Sequence, residues 1–464
     1  MPDAVLVGAN LAALVAAREL AAAGREVVLL TDGRPVGGHF GGLRVDGTAF
    51  DTGMVTLERP GAGEAGPVTP PLAGYDPDRR YDWTRFAGLV DRWQAGRVEL
   101  RRTPTPQVLV DGRRTADHLM SDRLDVLAGA AVPDPLLAVD DPRHARGKTT
   151  APAYDGLDYR SASLANHGPD VHGRLVEPFL AAVLGPASDQ LLARYHRTAW
   201  LPLYWPATVA AAAGGRPTGV VEHRFWTTAG GLVGEVVTGL RDELVARGVV
   251  VEDQPLRPLR RTAAGWEVST AGGVWLHPAP VLGLPVPRAR ELLGLRPAPR
   301  GPAVDIGVLS CRVRAGAVTD PAGCVLLADG RSVAHRVTDQ DAQAGRDPAW
   351  HRVTVETGAA GRVVADAGDD LGRRLVADLV RVLGLAPAAL GAGGDGHPDV
   401  QVLRLLRAPG ALGVPTAASV EADRAGREEL RGLGVVPTGA LLGTGLASLA
   451  DQVVQGLAVA ERLG

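Results

Sequence analysis

"AVLVGANLAALVAARELAAAGREVVLLTDG", residues 4–33, decides how the rest of the chain is read. Val5-Leu6-Val7 is a short aliphatic run of the kind buried on both faces of a parallel sheet. It enters a turn at Gly8, after which Leu11–Ala22 reads as a helix and Glu26–Leu30 as a second strand. Strand, glycine turn, helix and strand in about thirty residues make a β-α-β unit.

A glycine-rich turn at that place lets backbone approach a pyrophosphate, whose charge meets free N–H groups and the positive end of the helix. Gly8 supplies the tight turn, and Ala13 stands at the third glycine position, where a small residue allows close helix–strand packing. Asn10 stands where the middle glycine belongs; its Cβ restricts backbone approach, while asparagine tolerates positive φ better than most residues. The acid that ordinarily ends the second strand and bonds the ribose falls at Thr31, with Asp32 one residue beyond.

The bulk numbers narrow the function classes. A chain of 464 residues has room for two or three domains, or for one large domain with insertions. A net charge of −3 with 45% hydrophobic residues gives no electrostatic case for nucleic acid or an anionic membrane as partner. No apolar run of about 20 residues appears, so no membrane span is expected. The first apolar run follows Asp3 and enters a glycine turn, which makes it a strand and not a signal peptide; a cytoplasmic location is expected. Cys311 and Cys324 lie outside any CxxC spacing in what reads as a strand pair, so buried free thiols are expected rather than a metal site.

After the opening unit comes a Pro- and Gly-rich break over residues 59–80. Residues 81–225 mix short strands and helical stretches and hold many of the aromatics. A turn at Gly230-Gly231 then leads a helix to about Arg247, followed by the strand "GVVVED" and a β-rich run ending at "VLGLPVP". Residues 303–365 alternate and read as strands of a second sheet, a helix is expected near Asp370–Leu383, and the close is strand, glycine turn and amphipathic helix. The fold class that follows is α/β: a Rossmann-type domain built discontinuously from 1–58, 226–290 and 430–464. An α+β substrate or cap domain is inserted over 59–225 and 291–429.

Five further stretches carry a resemblance: "RPVGGHFGG" at 34–42, "FDTGMVTLE" at 50–58, "FWTTAGGLVGEVVTGLRDELVARGVVVEDQPLRPL" at 225–259, "PVLGLPVP" at 280–287, and the closing "VVPTGALLGTGLASLADQVVQGLAVA". With the opening unit they resemble the FAD-binding start and finish of the amine oxidase, protoporphyrinogen oxidase and phytoene desaturase superfamily. The UDP-galactopyranose mutase branch is similar. The resemblance implies FAD as cofactor, with Gly37 and Gly38 against its pyrophosphate and ribityl chain and His39 reaching toward the flavin. It places Leu256 at the apolar position whose strand reads the adenine, and Gly439-Ala440 at the family's closing Gly-Asp. Gly445 lies in the last glycine turn, aimed at the isoalloxazine region.

That resemblance implies an FAD-dependent oxidoreductase taking a hydride from a C–N or C–C bond of a small molecule, the flavin carrying the chemistry. Asn10, Thr31 and Ala440 depart from the family pattern together, and each lost charge-assisted bond costs about 1.5–3 kcal/mol. A second reading is therefore a degenerate homologue without FAD, serving as a non-catalytic partner subunit. A third is a mutase-like enzyme acting on a nucleotide-sugar type of substrate without net redox change. His39, Arg336, Tyr204, Trp205 and Trp226 are the candidate catalytic or substrate-lining residues, with His223 beside them. Each has a plainer alternative: a solvated turn histidine, an arginine on a solvated strand face, or core aromatics. Asp51 reads as a structural brace, and Tyr195-His196-Arg197 as surface.

Overall fold

The computed structural model describes residues 1–59, 89–91, 93–116, 125–131, 156–217, 224–299, 301–386, 397–443 and 448–464. The break from residue 60 onward, His223 and Gly445 lie outside the described residues.

The opening stretch forms β1 (Ala4–Val7), α1 (Leu11–Ala22) and β2 (Val27–Leu30), with Ala4 paired to Val27 and Val7 to Leu30 in parallel register. Later segments supply α2 (Gly234–Ala246), β3 (Val250–Glu252), β4 (Val281–Leu282), β5 (Val436–Pro437) and α3 (Leu449–Leu463). The five strands make one parallel sheet in the order β3-β2-β1-β4-β5. Strand order reverses between β1 and β4, and a crevice opens at the carboxyl ends of such a pair.

Alternation along β1 divides the core. Ala4 and Leu6 join one apolar cluster with α1, α2 and α3; Val5 and Val7 join the other with Trp266, Val268, Leu292 and Leu430. Burying a Leu or Val side chain contributes about 1.5–3 kcal/mol, so these two clusters dominate the stability of the sheet. Gly456 lets α3 close on α1, because a Cβ there would lie 2.5 Å from the Ala12 carbonyl oxygen and from Val15 Cβ. Val90 and Trp93, from a segment assigned by sequence to the insertion, also pack in this first cluster.

The inserted part centres on a seven-stranded mixed sheet. Its order is Val400–Gly413, Ala303–Arg314, Trp350–Thr357, Arg336–Asp339, Cys324–Leu327, Gln107–Val110 and Arg113–Thr115. A small antiparallel sheet, Leu57–Arg59, Arg224–Thr228 and Leu100–Arg102, bridges the two parts.

Three readings need correction. The alternation over 303–365 is interrupted: Gln340–Gln343 and Ala359–Asp366 are helical, each started where a new side chain or glycine cap takes over the backbone (Asp339 accepting the Ala342 N–H, and Gly358). Cys311 and Cys324 are buried and free, but their strands are not neighbours; two other strands separate them. His196 is buried rather than on the surface, its Nδ1 bonded to the Leu201 carbonyl at 2.5 Å.

Candidate dinucleotide-binding site

Gly8 has φ +96°, and a Cβ there would fall 2.6 Å from the Gly283 carbonyl at the end of β4, so only glycine fits the turn. Asn10 has no such need: its φ is −67°, and the tolerance of positive φ anticipated for it is not used. It is the N-cap of α1, with Oδ1 accepting the Ala13 N–H at 2.8 Å and Nδ2 donating to Thr438 Oγ1 at 3.4 Å. The amide lies flat between two backbones. A Cβ on Gly283 would be 2.9 Å from Asn10 Nδ2, and one on Gly439 only 2.2 Å. Asn10 thus plugs the crevice where strand order reverses. Ala13 is fully buried, as its packing position requires.

Two further donors beside the turn are satisfied from within. Gln452 Oε1 on α3 accepts the Ala12 N–H at 3.2 Å, and Gln455 Oε1 accepts the Gly439 N–H at 2.8 Å. Ala440 follows as an exposed residue of a short 3-10 turn and offers no carboxylate.

At the other end of the crevice the Thr31 hydroxyl donates to the Asp253 carboxylate. Asp32, at φ +59°, turns its own carboxylate inward. Its Oδ1 accepts the Leu256 N–H at 2.8 Å, and Arg288 grips it through Nε at 2.8 Å and Nη2 at 2.9 Å. Burial alone pushes the Asp32 carboxyl up, but the Arg288 and Leu256 hydrogen bonds outweigh it and hold it below the usual carboxylate range. Arg288 also donates to the Leu256 carbonyl at 3.0 Å, so both backbone groups of Leu256 are engaged.

The paired glycines keep their special backbone. Gly37 has φ +86°, packs where a Cβ would meet Val237 at 2.4 Å, and donates to the Ala9 carbonyl at 2.6 Å; Gly38 has φ +60°. His39 is exposed, its ring 3.8 Å from that of Phe40. Asp51 is buried and caps α2, accepting Val233 N–H at 2.7 Å and Gly234 N–H at 3.0 Å. Burial pushes its carboxyl up to about 7 against the pull of those donors.

Arg336 lies neither in solvent nor beside the plugged turn. It forms a buried bidentate pair with Glu356, both contacts 2.6 Å, under the ring of Trp200, and Glu356 Oε2 accepts the Met54 N–H at 3.1 Å. Burial would raise the Glu356 carboxyl, yet Arg336 holds it below its ordinary range. Tyr204 and Trp205 are core residues of the inserted part; the Tyr204 N–H donates to His167 Nε2 at 2.9 Å. Trp226 is half-buried on the bridging sheet, opposite Leu57 and Arg102. Asn10, Thr31, Asp32, Leu256 and Gly439 therefore share the crevice, while Arg336, Tyr204, Trp205 and Trp226 belong to other clusters.

An FAD placed as the resemblance implies would call on the space the Asn10 amide fills and on the N–H groups held by Gln452, Gln455 and Asp32. The residues as arranged do not fit it. Gln452, Gln455, Asp253 and Arg288 were missed in the sequence; the i, i+3 spacing of two glutamines on an otherwise apolar helix face was the available signal.

Residues 6–66 match the model of an NAD(P)-binding Rossmann-like domain. No curated protein matches the chain. Among solved structures, a reduced UDP-galactopyranose mutase is 12% identical with a TM-score of 0.67, covering 100% of this chain and 95% of its own. A proposed protoporphyrinogen oxidase from Exiguobacterium sp. 255-15 is 16% identical, TM-score 0.64, covering 99% and 97%. Cyclohexylamine oxidase from Brevibacterium oxydans IH-35A is 14% identical, TM-score 0.54, covering 100% and 98%. The chain has the α/β fold of these amine oxidase-like flavoproteins, as its motifs imply, and at such identities the likeness is one of fold. No helix among the described residues is long and apolar enough to cross a membrane.

Proposed function

We propose that this chain works without a bound dinucleotide, as a non-catalytic homologue of the flavoenzyme fold that serves as a binding or partner subunit. The observation that carries this reading is the Asn10 side chain seated between Gly283 and Gly439 at the switch point of the sheet. Gln and Asp side chains can rotate away from a ligand, but the Cβ of Asn10 is fixed by the turn. The closed adenine end, with Leu256 held by Asp32 and Arg288, supports the same reading independently.

The test is the colour of the full chain after gentle purification, followed by titration with FAD read through quenching of flavin fluorescence. A colourless protein that leaves FAD fluorescence unchanged is expected. Flavin at near stoichiometric occupancy would sink the proposal.

A second reading has its own observation: Gly37 and Gly38 retain left-handed backbone, and Asp51 still braces α2 against them. Such a frame suits an FAD-dependent oxidoreductase of a small-molecule C–N or C–C bond, and a yellow protein decides for it.

A further inference from the structure

We propose that the buried cluster of Ser163, His167 and His172 is an acid-sensitive latch on the segment "WLPLYW", residues 200–205, engaged at neutral pH and released when its imidazoles take protons. Side chains hold four backbone groups of that segment. The His196 Nδ1–H donates to the Leu201 carbonyl at 2.5 Å and the Tyr159 hydroxyl to the Pro202 carbonyl at 2.5 Å. Asn166 Nδ2 donates to the Tyr204 carbonyl at 3.1 Å, and the Tyr204 N–H donates to His167 Nε2 at 2.9 Å. What they hold is strained: Trp200 has φ +58°, a conformation that a bulky residue keeps only where its surroundings impose it. The Trp200 ring lies against Arg336 of the seven-stranded sheet and 5.9 Å from Phe225 of the bridging sheet, so the latch bears on the junction between them.

The cluster exists because a helix is broken. Ser163 and His167 are four residues apart on the helix Tyr159–Val171 and share a face. His172 is nine residues from Ser163 and on a straight helix would point to the opposite side. Gly168, at φ +79°, with Pro169 and one π-helical turn over His172–Val176 swings it back, and its Nδ1 meets Ser163 Oγ at 2.9 Å.

Hydrogen placement follows from the partners. A backbone N–H only donates, so His167 Nε2 carries no hydrogen and Nδ1 does, donating to Ser163 Oγ at 3.0 Å. The Ser163 hydrogen is then free for His172 Nδ1, and His172 Nε2–H points to Glu177 at 3.2 Å. A proton arriving at His172 Nδ1 is tolerated, because the Ser163 hydroxyl also has the Tyr159 oxygen within reach. A proton arriving at His167 must take Nε2, the acceptor of the Tyr204 N–H, and that bond is lost.

The charges around the pair set the direction. Glu177 faces His172, with Arg160 on its other oxygen at 2.9 Å and Asp189 3.2 Å from Arg160 Nε. His196 stacks on Tyr159, Arg194 donates to the Tyr195 hydroxyl, and Arg174 pairs with Asp111 and Asp170. The helix Pro206–Ala213 brings no titratable group. Burial pushes His167 down to about 3, helped by His172, and pushes His172 down against the pull of Glu177. Folded values below the ordinary 6.5 mean that the latch is fully engaged above about 6.5 and loosens as pH falls toward 3. None of these residues belongs to the plugged crevice, so the latch is independent of whether FAD binds.

The test is amide hydrogen exchange of the full chain, read by mass spectrometry and corrected for the intrinsic pH dependence of exchange. Protection of Tyr204 should fall about tenfold or more between pH 7 and pH 5, while β1 keeps its protection. His167→Gln offers an oxygen to the Tyr204 N–H and takes no proton, so most of the pH dependence should disappear. Ser163→Ala removes the oxygen that keeps the hydrogen on His167 Nδ1 and should loosen Tyr204 already at pH 7. The wild-type comparison decides even where a variant does not fold. Equal protection of Tyr204 at both pH values, a loss shared equally by β1, or a His167→Gln chain as pH-dependent as the wild type would overturn the proposal.

Discussion

Asn10 stands where the motif resemblance places a glycine, and its contacts show how such a turn is packed from within. Its Oδ1 caps α1 at Ala13 and its Nδ2 reaches Thr438, so one side chain ties the first helix to the last strand. Asn10→Ala should lower stability to urea by about 1 kcal/mol through loss of the cap, and Asn10→Gly by only a few tenths. Equal losses for the two variants would mean that the cap is not what Asn10 supplies. The Arg336–Glu356 pair is a different case, because both charges are buried. Glu356→Gln leaves the guanidinium uncompensated and should cost about 3–5 kcal/mol, whereas Arg336→Met with Glu356→Leu should recover most of it. Denaturation midpoints of the single and double variants decide that point. From the sequence, the residues at Asn10, Thr31 and Ala440 were visible; the partners of Asn10 and Thr31 were not, since Thr438 and Asp253 lie hundreds of residues away and only folding brings them near.

Elements were legible where one periodicity held from end to end. The helix read over Leu11–Ala22 has those bounds, because its aliphatic face and its cap agree. The region 303–365 misled because Val363 falls in the same period-two phase as Val353 and Val355 of the preceding strand, although Gly358 has already turned the chain into a helix. The strand Trp350–Thr357 also carries a titrating contact. His351 Nδ1 meets the buried Asp339 carboxylate at 2.6 Å, and this hydrogen bond, against the opposing effect of burial, raises the imidazole to about 9. A raised folded value means that the contribution is complete below about 6.5 and is lost as pH climbs through about 9. On the order of 1–2 kcal/mol should disappear across that window once solvent screening is allowed for. His351→Gln should flatten stability against pH between about 6.5 and 9, and an unchanged slope would show that the pair does not titrate there.

At the scale of the molecule, β1, β2, β3, β4 and β5 come from segments spread over the whole chain yet take the 3-2-1-4-5 order of a dinucleotide-binding sheet. That architecture was readable because glycine turns and buried strands leave local marks. Whether the crevice is open was not, because it is decided by side chains from β1, β2, α3 and the loops after β3, β4 and β5 meeting at one place. The turn end is held by Asn10, Gln452 and Gln455, and the far end by Asp32, Arg288 and Leu256. Opening either end breaks contacts that hold the sheet's own loops, so a dinucleotide must pay that cost before it gains any of its own contacts. A ligand present at a hundredfold its Kd stabilises the folded state by about 2.7 kcal/mol. FAD, NADH and NADPH in large excess should each leave the urea midpoint of this chain where it stands. A shift of that size with any one of them would show that the crevice opens, and would identify the nucleotide for which it does.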